Sequence, residues 1–168
     1  METSTEIAEI LLEPKTRQIL DTTICNEHLR FGCIRCATFC CKLGGPKITK
    51  KDTQRIENAG YDAEEFVDFF KDKSNHSSLY PGCLKTKQDG SCVFLKFNSE
   101  KGNYECSVYN SRPAQCRLFP FDFQKTDSKS IVLNFIPCCR GLNNPDGELV
   151  NESFIANYLL DAIFDLTF

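Results

Sequence analysis

Cysteine is the residue type whose number and spacing in this chain could support chemistry. The 168 residues include 11 cysteines and 2 histidines, and four of the cysteines are grouped as Cys33, Cys36, Cys40 and Cys41. A Cys-x2-Cys spacing lets two thiolates meet one metal ion, because the residues between them form a turn whose N–H groups can bond the sulfurs. An isolated cysteine is usually a small buried apolar residue, but this grouping indicates a metal held by thiolates.

The adjacent pair Cys40 and Cys41 bears on which metal is bound. Neighbouring side chains diverge, so both thiolates of the pair on one zinc ion would strain the backbone. A cluster of several irons, or two adjacent metal sites, would accommodate them more easily. The spacing matches neither the bacterial nor the plant ferredoxin pattern. We therefore expect an iron–sulfur cluster, in the form 4Fe–4S, with zinc as the alternative.

Further cysteines lie outside this group. Those in short, turn-rich segments that could fold back onto the first four are Cys92, Cys106, Cys116, Cys138 and Cys139. For Cys25 and Cys83, a ligand role and a packing role both stay open. The number of thiols would suffice for two sites of four ligands, or for one site with spare thiols.

Composition and charge argue against several function classes. The formal net charge is −3 and the pI about 5.5, with the basic residues scattered, so nucleic acid is not an expected partner. No apolar run approaches the roughly 20 residues that span a bilayer, and the first residues carry acids where a secretory signal carries basic residues. We therefore expect no membrane association and a cytoplasmic location, where disulfides are disfavoured and metal ligation best explains the cysteines.

The sequence lacks the motifs of common hydrolases and nucleotide-binding enzymes, namely a nucleophile elbow, an HExxH motif and a P-loop. Whether the protein is an enzyme therefore stays open. Three functions remain: an iron–sulfur protein for electron transfer or metal-centred modification chemistry, a structural zinc module, and a metal carrier or sensor. Each implies an unknown protein partner or substrate.

The elements that must position the thiols are short. Residues 3–12 and 15–21 place apolar side chains at helical intervals, which predicts two short helices separated by Pro14. Residues 25–46 are rich in cysteine and end in Gly-Gly-Pro, which favours an irregular loop.

Capping boxes predict two more short helices. Thr49 is followed three residues later by Asp52, and Asp62 by Glu65, each before apolar residues at helical spacing, with the second helical pattern reaching Phe70.

The remaining elements follow from alternation and turn residues. They are a hairpin over residues 92–95 and 104–106, a turn or short helix opened by Pro113 that carries Cys116, a strand over 131–136 and an amphipathic helix over 153–168. These elements predict the α+β class: a small irregular single domain of short helices and strands around a cysteine-ligated metal centre. Its expected parts are a helical extension over 1–24, the metal-binding domain over 25–145 and a packed C-terminal helix over 146–168.

Four strings of residues resemble one known family. They are CIRCATFCC beginning at Cys33, GSCVFL over 90–95, CSVYNSRPAQCRLFP over 106–120 and PCCRG over 137–141. They resemble the YkgJ-like cysteine-cluster family of zinc- or iron-chelating proteins over roughly residues 31–141, and the C-x2-Y-x2-R-P-x2-C-R-x-F-P run is the most specific part. One departure is that three residues separate Cys36 from Cys40, where the family usually has two.

The resemblance implies a ligand set. Its members are Cys33, Cys36, Cys40, Cys41, Cys92, Cys106, Cys116 and one or both of Cys138 and Cys139. Similar domains occur in flagellin lysine N-methylases, so the resemblance also allows methyl transfer from S-adenosylmethionine.

Arg112 and Arg117 lie beside the expected ligands, where a guanidinium could offset thiolate charge or simply form an ion pair. The nearby Phe119, Phe121 and Phe123 could shield a metal site from water or pack in a core.

Overall fold

The computed structural model describes residues 5–71 and 79–168. Within these ranges the strands are β1 (Glu6–Glu13), β2 (Gln18–Ile24), β3 (Arg30–Phe31), β4 (Lys47–Ile48), β5 (Val67–Phe69), β6 (Gly82–Leu84), β7 (Leu95–Asn98), β8 (Asn103–Cys106), β9 (Phe121–Lys125), β10 (Ser130–Phe135) and β11 (Glu148–Leu149). The α-helical segments are α1 (Lys50–Asn58), α2 (Ala63–Phe66), α3 (Ala114–Leu118), α4 (Glu152–Phe154) and α5 (Leu160–Thr167). This mixture of short helices and short strands confirms the α+β class.

The chain divides into two units. The first comprises Met1–Ile34 with Leu118–Phe168, and the second comprises Arg35–Arg117. The domain boundaries expected from the sequence stay a prediction. No helix in the described parts of the chain is long and apolar enough to cross a membrane.

The first unit contains a four-stranded antiparallel sheet in the order β2-β1-β10-β9. Its strand β10 confirms the strand expected over 131–136, but the two helices expected over 3–12 and 15–21 are wrong. From Ala8 to Leu12 the residues alternate between buried and exposed, which is the period of a strand. The helical spacing of the N-terminal apolar residues was therefore coincidental, and pairing with β10 decides the conformation.

The C-terminal helix supplies the rest of the first unit's core. It consists of α4, a π-helical turn over Ile155–Leu159 and α5, which confirms the helix expected over 153–168. The ring of Phe154 makes edge contacts with Phe31 and Phe121, at centroid distances of 6.3 and 5.8 Å. Phe121 therefore has the core-packing role that the sequence had left as one of two alternatives.

The second unit contains a three-stranded sheet in the order β4-β6-β5. Both predicted capping boxes are present: the Thr49 hydroxyl accepts from the Asp52 N–H at 3.0 Å, and Asp62 caps α2. The second helix ends at Phe66, however, so its predicted extension to Phe70 is wrong. The chain continues instead as β5, whose backbone groups pair with β6.

A hairpin and a short helix complete the second unit. Strands β7 and β8 pair with Leu95 opposite Cys106, which confirms the expected hairpin. A 3-10 turn over Tyr109–Ser111 then leads to α3, the predicted short helix that carries Cys116.

Candidate metal centre

Five thiols of the second unit come from four separate segments of the chain. They are Cys40 and Cys41 in the loop before β4, Cys92 before β7, Cys106 at the end of β8 and Cys116 in α3. Cys92 is only 6% exposed and belongs to the apolar core of the unit, and Cys41 and Cys106 pack against that core. Three of the five thiols therefore lie in or against the apolar interior of this unit.

A close backbone approach joins the Cys40–Cys41 loop to Cys92. The Cys92 N–H donates to the Cys41 carbonyl oxygen at 2.8 Å. A Cβ atom placed on Gly44 would lie 2.6 Å from the Cys92 backbone nitrogen, which no side chain tolerates without movement of the backbone. The Gly-Gly-Pro end of the loop thus does more than form a turn, because Gly44 lets the loop lie directly on Cys92.

A buried carboxylate holds the helix that carries Cys116. Asp52 is fully buried in α1, where its Oδ1 accepts from the Ala114 N–H at 3.0 Å and from the Arg55 guanidinium at 2.9 Å. Its Oδ2 accepts from the Thr49 N–H at 3.0 Å. The sequence indicated Asp52 as a capping residue but gave no sign of its bond to Ala114, which connects two elements that are distant along the chain. Asp52 thereby fixes the start of α3, and with it the position of Cys116.

The hydrogen bond between the adjacent thiols of Cys40 and Cys41 shifts their pKa values in opposite directions. The thiol of Cys41 stabilises a thiolate on Cys40 and, with further help from the Arg112 guanidinium, lowers the pKa of Cys40 to about 7. The same hydrogen bond, followed by burial, raises the pKa of Cys41 above its usual range. One member of the pair therefore ionises readily and the other does not.

Burial raises the pKa of the other three thiols, Cys92, Cys106 and Cys116. Neighbouring thiolates add to this effect, because like charges in an apolar setting disfavour one another. Cys106 raises the pKa of Cys92, and both raise that of Cys116. A bound cation would reverse this repulsion, so the electrostatics of the site favour metal binding by the whole group.

Arg112 supplies part of the compensating charge. Its guanidinium lowers the pKa of Cys40, Cys106 and Cys116 against the opposing effect of burial. This result agrees with the role expected for an arginine beside thiolates. Arg117 bonds instead through its Nε to the Arg112 carbonyl oxygen at 3.2 Å, which steadies the turn that presents Arg112.

The donor set suits a thiophilic metal, although the thiols do not form a closed coordination shell. Across residues 5–71 and 79–168, no three Cys, His, Asp or Glu side chains converge in the geometry of a preformed metal site. The five thiols are nevertheless near enough to shift one another's pKa, and sulfur ligands select zinc or iron–sulfur clusters. The residues present therefore fit such a group by their chemistry.

Cys36 lies at a sharp backbone turn in the second unit. The residues on either side of it, Arg35 and Ala37, have φ angles of 54° and 56°, in the left-handed region that residues other than glycine rarely adopt. Cys36 itself is half-buried. Two left-handed residues in one short segment agree with the irregular loop predicted for residues 25–46.

The first unit contains the other expected ligands, Cys33, Cys138 and Cys139. The Gly32 N–H donates to the Gly141 carbonyl oxygen at 3.0 Å, and the Gly141 N–H donates to the Cys139 sulfur at 3.4 Å. The segment that carries Cys33 thus lies beside the segment that carries the Cys138–Cys139 pair. The structure places these three cysteines in one loop region of the first unit.

The two cysteines left open, Cys25 and Cys83, are not among the thiols that shift one another's pKa. Cys25 is exposed and donates to the Glu6 carboxylate at 3.3 Å. Cys83 lies within β6, where burial raises its pKa. Neither thiol therefore belongs to the group of five that interact in the second unit.

Comparison with known proteins points to one family. Residues 32–145 match the profile of the CxxCxxCC family, described as "Putative zinc- or iron-chelating domain". An uncharacterized protein of Methanocaldococcus jannaschii is 35% identical over 129 residues, which cover 75% of this chain and 65% of the relative. The chain thus spans just under two thirds of that relative's length. No solved structure matches.

Proposed function

Because the chain belongs to the CxxCxxCC family of zinc- or iron-chelating domains, we propose that its clustered cysteines ligate an iron–sulfur cluster of the 4Fe–4S type. The proposed role is redox or metal-centred modification chemistry, of which methyl transfer is one form. The metal-binding function itself follows from the family, whereas the identity of the metal is the step proposed here.

The observation that carries the proposal is the group of five interacting thiols of the second unit, three of which lie in or against its apolar core. A single zinc ion takes four protein ligands in a closed site, so one zinc would leave a thiol of this group over. Cys40 and Cys41 are adjacent, and a multinuclear cluster offers separate metal atoms to two diverging side chains. Cys36 lies in the same unit and adds a further thiol.

The residues around the thiols suit a redox centre. An iron–sulfur cluster, when bound, supplies one-electron chemistry whose potential depends on burial, hydrogen bonds and nearby charge. The apolar core around Cys92 limits access of water, and Arg112 places a positive charge beside the thiols. Asp52 keeps the helix of Cys116 in place.

A structural zinc module is the second candidate. The observation in its favour is that three of the five thiols, Cys41, Cys92 and Cys106, lie in or against the apolar core of a small unit, where a closed metal site would add to a limited hydrophobic interior. A metal carrier would use the same ligands but would release the metal readily to a competing chelator.

Anaerobic purification of the full chain, followed by metal and acid-labile sulfide analysis with an absorption spectrum, tests the proposal. Iron with sulfide and a broad visible band is the expected result. Stoichiometric zinc in a colourless protein would exclude the cluster and leave the zinc module or the carrier. Retention of that zinc against a chelator would then separate the module from the carrier.

The proposal extends to location and partners. Clustered thiols persist in a reducing compartment, so we propose that the protein acts in the cytoplasm on a protein partner or substrate. Nucleic acid is not proposed as a partner, because the chain is acidic, with a net charge of −3. Membranes are not proposed either, because no apolar run of the sequence approaches the roughly 20 residues that span a bilayer.

A further inference from the structure

Two guanidinium groups of the second unit share one exposed tyrosine ring. The guanidinium carbons of Arg35 and Arg112 lie 5.0 and 3.9 Å from the ring centroid of Tyr109, so they are within about 9 Å of each other. Tyr109 is 43% exposed, and Arg35 is exposed. Two positive charges are therefore concentrated at a surface that solutes can reach.

In the described part of the chain, the positive charge of Arg35 has no direct acidic partner. Among residues 5–71 and 79–168, neither Arg35 nor Arg112 forms an ion pair with a carboxylate. Glu105 is the acid whose pKa responds to Arg35, but its Oε1 already accepts from Lys101 at 2.9 Å and from Asn98 at 3.1 Å. Arg35 is exposed to solvent and forms no ion pair with a carboxylate of the described residues.

The backbone at Arg35 has a left-handed conformation, as does the backbone at Ala37. Its φ angle of 54° lies in the left-handed region, where glycine is the residue without steric cost. Non-glycine residues held in this region concentrate at ligand and active sites. Glycine at position 35 would therefore remove the guanidinium without adding backbone strain.

We propose that Arg35, Arg112 and Tyr109 form an oxyanion-binding site beside the thiol group. The site takes the carboxylate or phosphate group of a small molecule. A guanidinium presents N–H donors in a planar fork that matches either group. Both guanidinium carbons lie within 5.0 Å of the Tyr109 ring centroid, and the Arg112 Nε–H donates to the Tyr109 carbonyl oxygen at 3.1 Å. Arg112 links the site to the helix that carries Cys116, because its carbonyl oxygen accepts from the Arg117 Nε–H at 3.2 Å. The site is independent of which metal the thiols hold.

Calorimetric titration of the full, metal-loaded protein tests the site, with inorganic phosphate and malonate as probes at constant ionic strength. We expect saturable binding of at least one probe, weakened at least about tenfold by Arg35→Gln and less by Arg35→Lys, which keeps the charge but loses the fork. Binding of phosphate alone or of malonate alone assigns the oxyanion, and binding of both shows that the fork accepts either.

Lys50→Gln is the matched control, since it removes one exposed positive charge elsewhere in the same unit. It should leave the titration unchanged. The proposal is overturned if neither probe binds, if Arg35→Gln has no effect, or if Lys50→Gln weakens binding as much.

The Arg35→Gly variant distinguishes a role of Arg35 in anion binding from a role in folding. It removes the guanidinium and the backbone strain together, so we expect binding to be lost while the Tm and the metal content stay equal or rise. A lower Tm with loss of metal would make Arg35 a structural residue and would overturn the proposal. Because metal content is measured separately from anion binding, failure here leaves the assignment of the metal untouched.

Discussion

The two units of the chain use their cysteines differently. In the first unit a four-stranded sheet and a C-terminal helix bury an apolar core, and Cys33, Cys138 and Cys139 lie in a loop region of that unit. In the second unit the helices and strands are short, and the thiol of Cys92 is part of the core itself. Among the described residues, the buried core of the first unit contains no cysteine, whereas the core of the second unit includes Cys92 and has Cys41 and Cys106 packed against it.

This difference between the two cores indicates where a bound metal would contribute to stability. Apolar burial of about 25 cal/mol per Å² stabilises a sheet without further help, but raised thiol pKa values show that the second unit's interior disfavours several thiolates at once. Metal binding and folding should therefore be coupled in the second unit and separable in the first.

Removal of the metal should produce the largest effect. We expect amides of α1 and β6 to exchange with solvent at least about a hundredfold faster in metal-free protein, because the second unit loses its central crosslink. Amides of β1 and β10 should change little. Hydrogen exchange followed by mass spectrometry measures both sets of amides. Equal loss of protection in the two units would contradict the expectation that metal binding is coupled to folding in the second unit alone.

Replacement of Asp52 should produce the second-largest effect. Asp52→Ala leaves the Thr49 and Ala114 N–H groups buried without their acceptor, which should lower the free energy of unfolding by about 3 kcal/mol and reduce metal content. Asp52→Asn keeps a side-chain oxygen and should cost less. Urea unfolding and the metal-to-protein ratio are the measurements.

The matched control for Asp52 lies in the sheet. Leu133 is fully buried in β10, and Leu133→Ala should also cost about 3 kcal/mol through the cavity it leaves. It should nevertheless leave metal content unchanged. Loss of metal from both variants alike would contradict separate roles for the two units.

A smaller effect is expected at Gly44. Gly44→Ala places a methyl group 2.6 Å from the Cys92 nitrogen, so the loop must move away from Cys92, at a cost of about 1–3 kcal/mol with weaker metal retention. Gly60→Ala is the control: its φ of 99° strains an alanine, but its Cβ would meet nothing within 4 Å. Chelator-driven metal release should be faster only for Gly44→Ala.

The smallest effect concerns reactivity without any change of fold. In metal-free protein held folded at low temperature, alkylation of Cys40 should follow a pKa of about 7, because the thiol of Cys41 stabilises its thiolate. Cys92, Cys106 and Cys116 have raised pKa values and should react only at more alkaline pH. Peptide mass spectrometry measures the alkylation rate of each cysteine from pH 5 to 10. Faster alkylation of Cys116 than of Cys40 would contradict the assignment.

Local signals in the sequence predicted much of the fold. The capping boxes at Thr49 and Asp62, the hairpin that ends at Cys106 and the C-terminal helix depend on residues close together in the chain. The N-terminal strands could not be predicted in this way. The apolar residues of β1 satisfy both a helical and an alternating pattern, and the choice depends on β10, which is distant in sequence.

The candidate site was likewise predicted only in part, because local signals identified its cysteines but not the contacts between distant segments. Spacing identified Cys40 and Cys41. The turn-rich segments, and then the resemblance to a known family, indicated Cys92, Cys106 and Cys116, whose pKa values show that they interact. The contacts that assemble them could not be read from spacing. The bond from Ala114 to Asp52 and the approach of Gly44 to Cys92 join segments whose encounter depends on the whole unit.

The chain order of the two units has a consequence for biosynthesis. The second unit is inserted between β1 and its partner β10, so all its cysteines leave the ribosome before the sheet can close. Domains fold as they emerge, and the thiols of the insertion can therefore meet a metal donor while the first unit is still incomplete. Timing of metal supply during translation would then decide whether the nascent insertion folds or remains a substrate for chaperones and proteases.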